Sequence, residues 1–184
     1  NTEEPMLLGW AMNWEYANET PTGEYCGQMT LVRKLHAGQT EKGLRLISKF
    51  EGMDDLTDSM IPVQEEQKLK AETFVLRLKG TKKLTFSNAK GEELVLEVTE
   101  NEILADRSKA GEKDFHASFG TERYSRLQVP RLRKDGEMLL VFDVSILEML
   151  ADDGAVPVTM AVYPTVPYDR IAMEGTGEVW IREI

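Results

Sequence analysis

The residues that could support nucleophilic catalysis are few: one cysteine, Cys26, and two histidines, His36 and His116. A catalytic cysteine needs a lowered pKa and a base within hydrogen-bonding distance. No motif of a cysteine enzyme surrounds Cys26, which shares its predicted strand face with Gln28 and Thr30. The sequence therefore predicts that Cys26 is a structural thiol.

The potential metal ligands do not have the spacing of a metal site. No Cys-x-x-Cys, His-x-x-x-His or His-Glu-x-x-His pattern occurs, which argues against zinc. The acidic residues Asp54, Asp55 and Asp58, and the pair Asp152-Asp153, do not follow the ligand spacing of a calcium-binding loop. Glycine-rich phosphate and dinucleotide motifs are absent as well. We predict no metal and no cofactor.

The 32 Asp and Glu residues keep glycoside hydrolysis open as an alternative function. That reaction needs two carboxyl groups that face each other across a sugar. The sequence does not show which two would do so, and the Gly-x-Ser-x-Gly motif of serine hydrolases is absent. A hydrolase that uses unidentified carboxylates is therefore the alternative to a non-catalytic protein.

Three aromatic residues near the N terminus, Trp10, Trp14 and Tyr16, lie at even spacing. Alternation predicts a strand from residue 6 to residue 16, in which the three rings share one face. Aligned rings on a strand stack against sugars or anchor a protein partner. The alternative is that they form a core face, because large aromatic residues are usually buried. They are the first part of the predicted ligand-binding site.

Residues 123–134 hold the one concentrated basic segment in a chain of net charge −10. Arg131 and Arg133 would project to the same face of an extended strand. Their guanidinium groups could each bind a carboxylate, phosphate or sulfate through two N–H donors, which makes them the second part of the predicted site. The alternatives are pairing with the acidic residues of a loop at 51–66, or a solvated edge strand that Pro130 ends.

Apolar residues alternate with polar ones through most of the chain, which predicts strands. The clearest hairpin joins two β-rich arms between Leu84 and Val98 through a turn with Asn and Gly. Met138 to Val144 is apolar on both faces, as in a central strand covered on both sides. The stretch from residue 101 to residue 111 is polar and indicates a loop or weak helix.

One short helix is predicted at about residues 145–152, because Ser145 and Glu148 match a capping box. The predicted fold class is mainly β: an antiparallel β-sandwich or open barrel with this one helix, in a single domain that spans residues 1–184.

Charge and composition narrow the partners. Net charge −10 and a pI of about 4.8 argue against nucleic acid, which is bound largely through Lys and Arg. The sequence contains no stretch of about 18 apolar residues, so we predict no transmembrane segment. Residues 1–5 contain no initiator methionine, as in a processed exported protein or a fragment of a longer one. We expect a secreted or cell-envelope protein, with the cytoplasm as the alternative.

Together these observations favour a non-catalytic binding or interaction module that binds a protein partner or a carbohydrate. Besides the hydrolase, a second alternative is a structural subunit of a larger assembly, whose strand edges pair with neighbouring subunits. The sequence leaves the oligomeric state open.

Overall fold

Strands dominate the computed structural model, which describes residues 4–23 and 25–184. In chain order the elements are β1 (Met6–Leu7), a 3-10 turn (Ala17–Glu19), β2 (Arg33–Thr40), β3 (Gly43–Phe50), α1 (Asp54–Asp58), β4 (Ile61–Pro62), β5 (Glu66–Lys68), β6 (Thr73–Lys79), β7 (Lys82–Ser87), β8 (Glu93–Val98), β9 (Glu102–Lys109), α2 (Glu122–Ser125), β10 (Arg126–Pro130), β11 (Met138–Asp143), β12 (Ile146–Ala151), β13 (Val156–Ala161), β14 (Arg170–Glu174) and β15 (Glu178–Glu183). Within the described ranges, no helix is long and apolar enough to cross a membrane.

Two six-stranded antiparallel sheets pack face to face around one core. Their strand orders are β10-β9-β8-β7-β14-β5 and β13-β12-β11-β6-β15-β4. Phe74 of the second sheet stacks on Phe86 of the first, with 5.4 Å between ring centroids, and on its neighbour Phe142 at 5.2 Å. The predicted mainly β fold is therefore confirmed, in its sandwich form.

A third sheet, β1-β2-β3, lies over the outer face of the second sheet. Phe50 of β3 packs there with Val75, Val141 and Leu150. Since successive strand residues point to opposite faces, β11 and β12 bury side chains on both sides. This confirms the doubly covered central strand predicted from Met138 to Val144.

The helix predicted at about residues 145–152 is wrong, because Ile146–Ala151 is strand β12 and all six of its residues are buried. Leu147 faces the sandwich core, whereas Leu150 faces the small sheet. An apolar run covered on both faces carries no period that separates a strand from a helix. The carboxylate of Glu148 caps no helix and instead accepts a hydrogen bond from Arg33.

The hairpin predicted between Leu84 and Val98 is confirmed as β7 and β8, which pair from Lys82↔Val98 to Ser87↔Glu93. The side chain of Asn88 forms the turn, because its Oδ1 accepts the Lys90 N–H at 3.0 Å. Gly91 follows with φ 75°, a conformation that favours glycine.

Candidate functional site

The N-terminal segment, here residues 4–23 and 25–32, forms two short arms that run side by side. Trp10 and Met29 face each other in an isolated antiparallel bridge, and the Ala11 N–H donates to the Gln28 carbonyl at 2.8 Å. Of the predicted 6–16 strand, only Met6–Leu7 pairs as a strand, with β2.

Two polar contacts from this segment and one from the adjoining Arg33 of β2 reach the sandwich around Glu148, a residue at the centre of β12. The Glu148 carboxylate accepts the Leu31 N–H at 2.6 Å and the Arg33 guanidinium at 2.5 Å. The Gln28 amide also donates to the Ser145 hydroxyl at 2.6 Å. Both members of the Arg33–Glu148 ion pair are buried, so the position of the segment is closely defined.

The aromatic stripe predicted on one face is split by a turn that begins at Asn13. The Asn13 Oδ1 accepts the Glu15 N–H at 2.9 Å, and the chain bends here, where the sequence predicts a strand. Tyr16 is consequently buried and packs edge-on against Phe119, with 4.9 Å between ring centroids. Trp14 points the other way and is 89% exposed.

An apolar patch remains on the surface of the segment. Trp10, Trp14 and Met29, here called the Trp–Met patch, are exposed, and the two indole rings lie 4.8 Å apart. The described residues include 13 large exposed hydrophobic side chains, of which eight lie between residues 6 and 32. Large exposed apolar surfaces typically mark an interaction site, so this segment is the candidate functional site.

Arg131, predicted as a ligand-binding residue, is buried and forms its contacts inside the protein. Its Nε donates to Asp152 at 2.5 Å, and its Nη2 donates to the carbonyls of Arg133 and Gly136 at 2.9 and 3.0 Å. Its Nη1 donates to the Thr99 carbonyl at 3.2 Å. These contacts use four of the five N–H groups of the guanidinium, and the side chain is only 2% exposed, so Arg131 does not present a surface for a ligand.

Arg133 pairs at 2.6 Å with Asp153, the residue that follows Asp152, and both side chains are about half exposed. The two arginines thus contact a consecutive Asp pair after β12, not the loop at 51–66. They line a different depression from Trp10 and Tyr16. The structure therefore does not bring the two parts of the predicted site together.

Cys26 is exposed, and its sulfur lies 3.8 Å from the Asn18 carbonyl oxygen. Across residues 4–23 and 25–184, no three His, Cys, Asp or Glu side chains are grouped so that they could hold a metal ion.

Sequence reasoning missed Arg107, which lines a cleft beside Trp10. The polar composition of residues 101–111 predicts a loop or weak helix, but Glu102–Lys109 is strand β9. Ile103, Ala105 and Arg107 alternate as its buried residues. That two-residue period was the signal that could have placed a buried arginine here.

Comparison with known proteins identifies the class. The family model described as "Glycosyl hydrolases family 32 C terminal" matches residues 34–180, so the chain belongs to this family of β-sandwich modules. A levanase from Bacillus sp. (strain L7) is 23% identical over 86% of this chain, which spans 19% of that protein.

Two solved structures share the fold. The exo-inulinase of Aspergillus awamori superimposes with a TM-score of 0.78 at 16% identity, over 98% of this chain and 40% of that one. A fructofuranosidase of Schwanniomyces occidentalis, complexed with fructosylnystose, gives 0.76 at 16% identity, over 100% of this chain and 45% of that one. The chain therefore spans less than half the length of each of these relatives.

Proposed function

We propose that this chain is the non-catalytic sandwich module of an enzyme that hydrolyses β-fructosides, and that the Trp–Met patch docks the module onto the catalytic domain. The family assignment supports the module, and the relatives' names support the substrate class. The observation that carries the docking proposal is Trp14, whose side chain is 89% exposed on an anchored segment.

The energetic argument rests on apolar area. Burying a large hydrophobic side chain contributes about 1.5–3 kcal/mol. Trp14 is almost fully exposed, and Trp10 and Met29 are about half exposed, so docking would remove apolar area of all three from water. Gln28 and Leu31 bind Ser145 and Glu148, and the Trp10–Met29 bridge joins the two arms, so little conformational entropy is lost on docking.

In this proposal the catalytic domain carries out the reaction. The proposal also includes a secreted or cell-envelope location. A polymeric fructan is too large to enter a cell intact, so the enzyme would meet it outside the cell. Recovery of the protein from the culture medium of its native host tests this location.

Docking is tested by measuring the affinity of this chain for the separately produced catalytic domain of its own enzyme, by isothermal titration calorimetry. We expect Trp14→Ser to weaken binding at least 10-fold while the melting temperature stays unchanged, because the exposed ring contributes little to the fold. Ile61→Ser is the matched control: Ile61 is 58% exposed but lies on β4, and its replacement should leave binding intact. Equal affinity of the Trp14 variant and the native chain would refute docking through this patch.

A second candidate function, carbohydrate binding, is favoured by the same exposed indole, since aromatic faces stack against sugar rings. Affinity electrophoresis in gels that contain levan separates the two functions. Retardation of the native chain and not of the Trp14→Ser variant supports sugar binding, whereas unretarded migration of both leaves docking as the function of the patch.

A further inference from the structure

A cleft of about 360 Å³ lies between the N-terminal segment and strands β9 and β10, and three arginines line it. Arg107 is buried, whereas Arg123 and Arg126 are exposed. Trp10 and Tyr124 contribute aromatic rings. Among residues 4–23 and 25–184, no Asp or Glu lines the cleft, although the chain carries a net charge of −10. This is a cationic site on an acidic protein.

Arg107 is held in the cleft by contacts that leave its charge unbalanced. Its Nε donates to the Tyr124 carbonyl at 2.9 Å, its Nη2 donates to the Phe119 carbonyl at 3.3 Å, and its guanidinium carbon lies 3.4 Å from the Phe119 ring centroid. Nη1 donates no hydrogen bond to any residue in 4–23 or 25–184. In the same ranges no carboxylate lies within 4.0 Å of this side chain, which is 6% exposed.

The guanidinium nevertheless stays charged at neutral pH. Burial lowers the pKa of Arg107 to about 10, and the nearby Tyr16 and Tyr163 act in the opposite direction. A buried cation without a counter-ion is unfavourable, so an anion that reaches Nη1 would relieve that cost.

The two exposed arginines differ in their partners. Arg126 is neutralised by Asp106 at 2.8 Å and lies 4.0 Å from Glu122. Arg123 forms no ion pair within the described part of the chain, and its guanidinium stacks 5.3 Å from the Tyr124 ring centroid. At the aromatic wall, Glu15 accepts a hydrogen bond from the Tyr124 hydroxyl at 2.9 Å. Two positive charges, on Arg107 and Arg123, are left for a ligand.

We propose that this cleft binds a phosphate monoester, with Arg107 and Arg123 holding its oxygens and Trp10 and Tyr124 as aromatic walls. Two unpaired arginines match the double negative charge of a phosphate group. Arg107 offers its Nη1, and the exposed Arg123 offers paired donors to the phosphate oxygens. The volume falls within the range of small-molecule sites, about 300–1,000 Å³. The phosphate could be carried by a sugar or be free in solution.

The test is calorimetric titration of the whole chain with three probes: fructose 6-phosphate, inorganic phosphate and fructose. We expect fructose 6-phosphate to bind, fructose not to bind, and Arg123→Gln to weaken phosphate binding at least 10-fold. Arg45→Gln is the matched control, because Arg45 is exposed, forms no ion pair with another described residue and donates to its own neighbour, the Leu44 carbonyl. Raising the salt concentration should weaken the interaction, since exposed charges are screened.

The outcomes separate the sources and the alternatives. Equal affinity for inorganic phosphate supports the site and identifies free phosphate as sufficient. Absence of binding by both phosphates, or unchanged binding by Arg123→Gln, overturns the proposal. If neither phosphate binds but Arg123→Gln weakens docking to the catalytic domain, the arginines belong to the docking surface and the proposal is also overturned. Failure of docking alone is detected independently with Trp14→Ser.

Discussion

Arg33 and Glu148 form a buried ion pair, 2.5 Å long, that joins the first long strand of the small sheet to the centre of β12. The second carboxylate oxygen accepts the Leu31 N–H at 2.6 Å, so one side chain binds a donor of the N-terminal segment and a donor of β2. The same Arg33 also donates to the Thr159 hydroxyl at 2.9 Å. The pair therefore connects the candidate docking surface with the sandwich.

We predict that Glu148→Gln lowers the free energy of unfolding by about 3–5 kcal/mol, because it leaves the Arg33 guanidinium buried and without a counter-ion. Urea unfolding measures this change. The double variant Arg33→Met with Glu148→Leu should lose less unfolding free energy than the sum of the losses of Arg33→Met and Glu148→Leu. The reason is that the double variant removes both charges and leaves neither one buried alone. Strict additivity would contradict direct coupling of the two residues.

The two arginines that were predicted to bind a ligand should differ in their effect on stability. Arg131→Gln should lower the free energy of unfolding by about 3–5 kcal/mol, because it leaves the buried Asp152 carboxylate without its cationic partner. Arg133→Gln breaks only an exposed pair with Asp153 and should cost less than about 1 kcal/mol. Thermal unfolding of both variants measures the difference, and equal melting temperatures would contradict it.

Val144 adopts φ 51° in the tight turn between β11 and β12, a conformation that is unfavourable for a β-branched residue. We expect Val144→Gly to raise the free energy of unfolding by about 1 kcal/mol, because the strain is relieved and the side chain is half exposed. Val144→Ala is the control, since it keeps a Cβ in the same conformation. Chemical denaturation compares the variants, and a loss of stability in the glycine variant would show that the Val144 side chain contributes more than its strain costs.

Glu92 joins the β7–β8 turn to the bend at residues 164–167. Burial alone would raise the pKa of its carboxyl, but hydrogen bonds from Thr165 and Asn88 outweigh burial and hold the pKa below 4.5. Because the folded state lowers this pKa, the stabilising contribution is present above the unfolded value and is lost as pH falls through the folded value.

We therefore predict that Glu92→Gln is less stable than the native chain at pH 7 and that the difference shrinks in acid. Urea midpoints measured between pH 7 and pH 3 test this prediction. A difference that stays constant down to pH 3 would show that the ionised carboxylate is not the stabilising species.

Local pattern was sufficient for much of the fold. Alternating apolar residues identified the β7–β8 hairpin, and the double apolar face identified Met138 to Val144 as a central strand. These elements were predictable because a strand's side chains alternate between faces whatever its neighbours are. The mainly β class follows from the same short-range signal.

Which residues meet across the chain was decided by the tertiary structure. Ser145 to Glu148 has a helix-capping pattern, yet the run becomes a strand because the sandwich core and the small sheet cover both of its faces. Arg131 has the residue type of an anion-binding site, but Asp152, 21 residues later, accepts its Nε–H, and backbone carbonyls accept hydrogen bonds from its Nη groups. Trp14 and Tyr16 have strand spacing, but the turn at Asn13 places one in solvent and the other in a core. Spacing records the periodicity of side chains, whereas burial and pairing depend on residues far away in the chain, which local sequence does not specify.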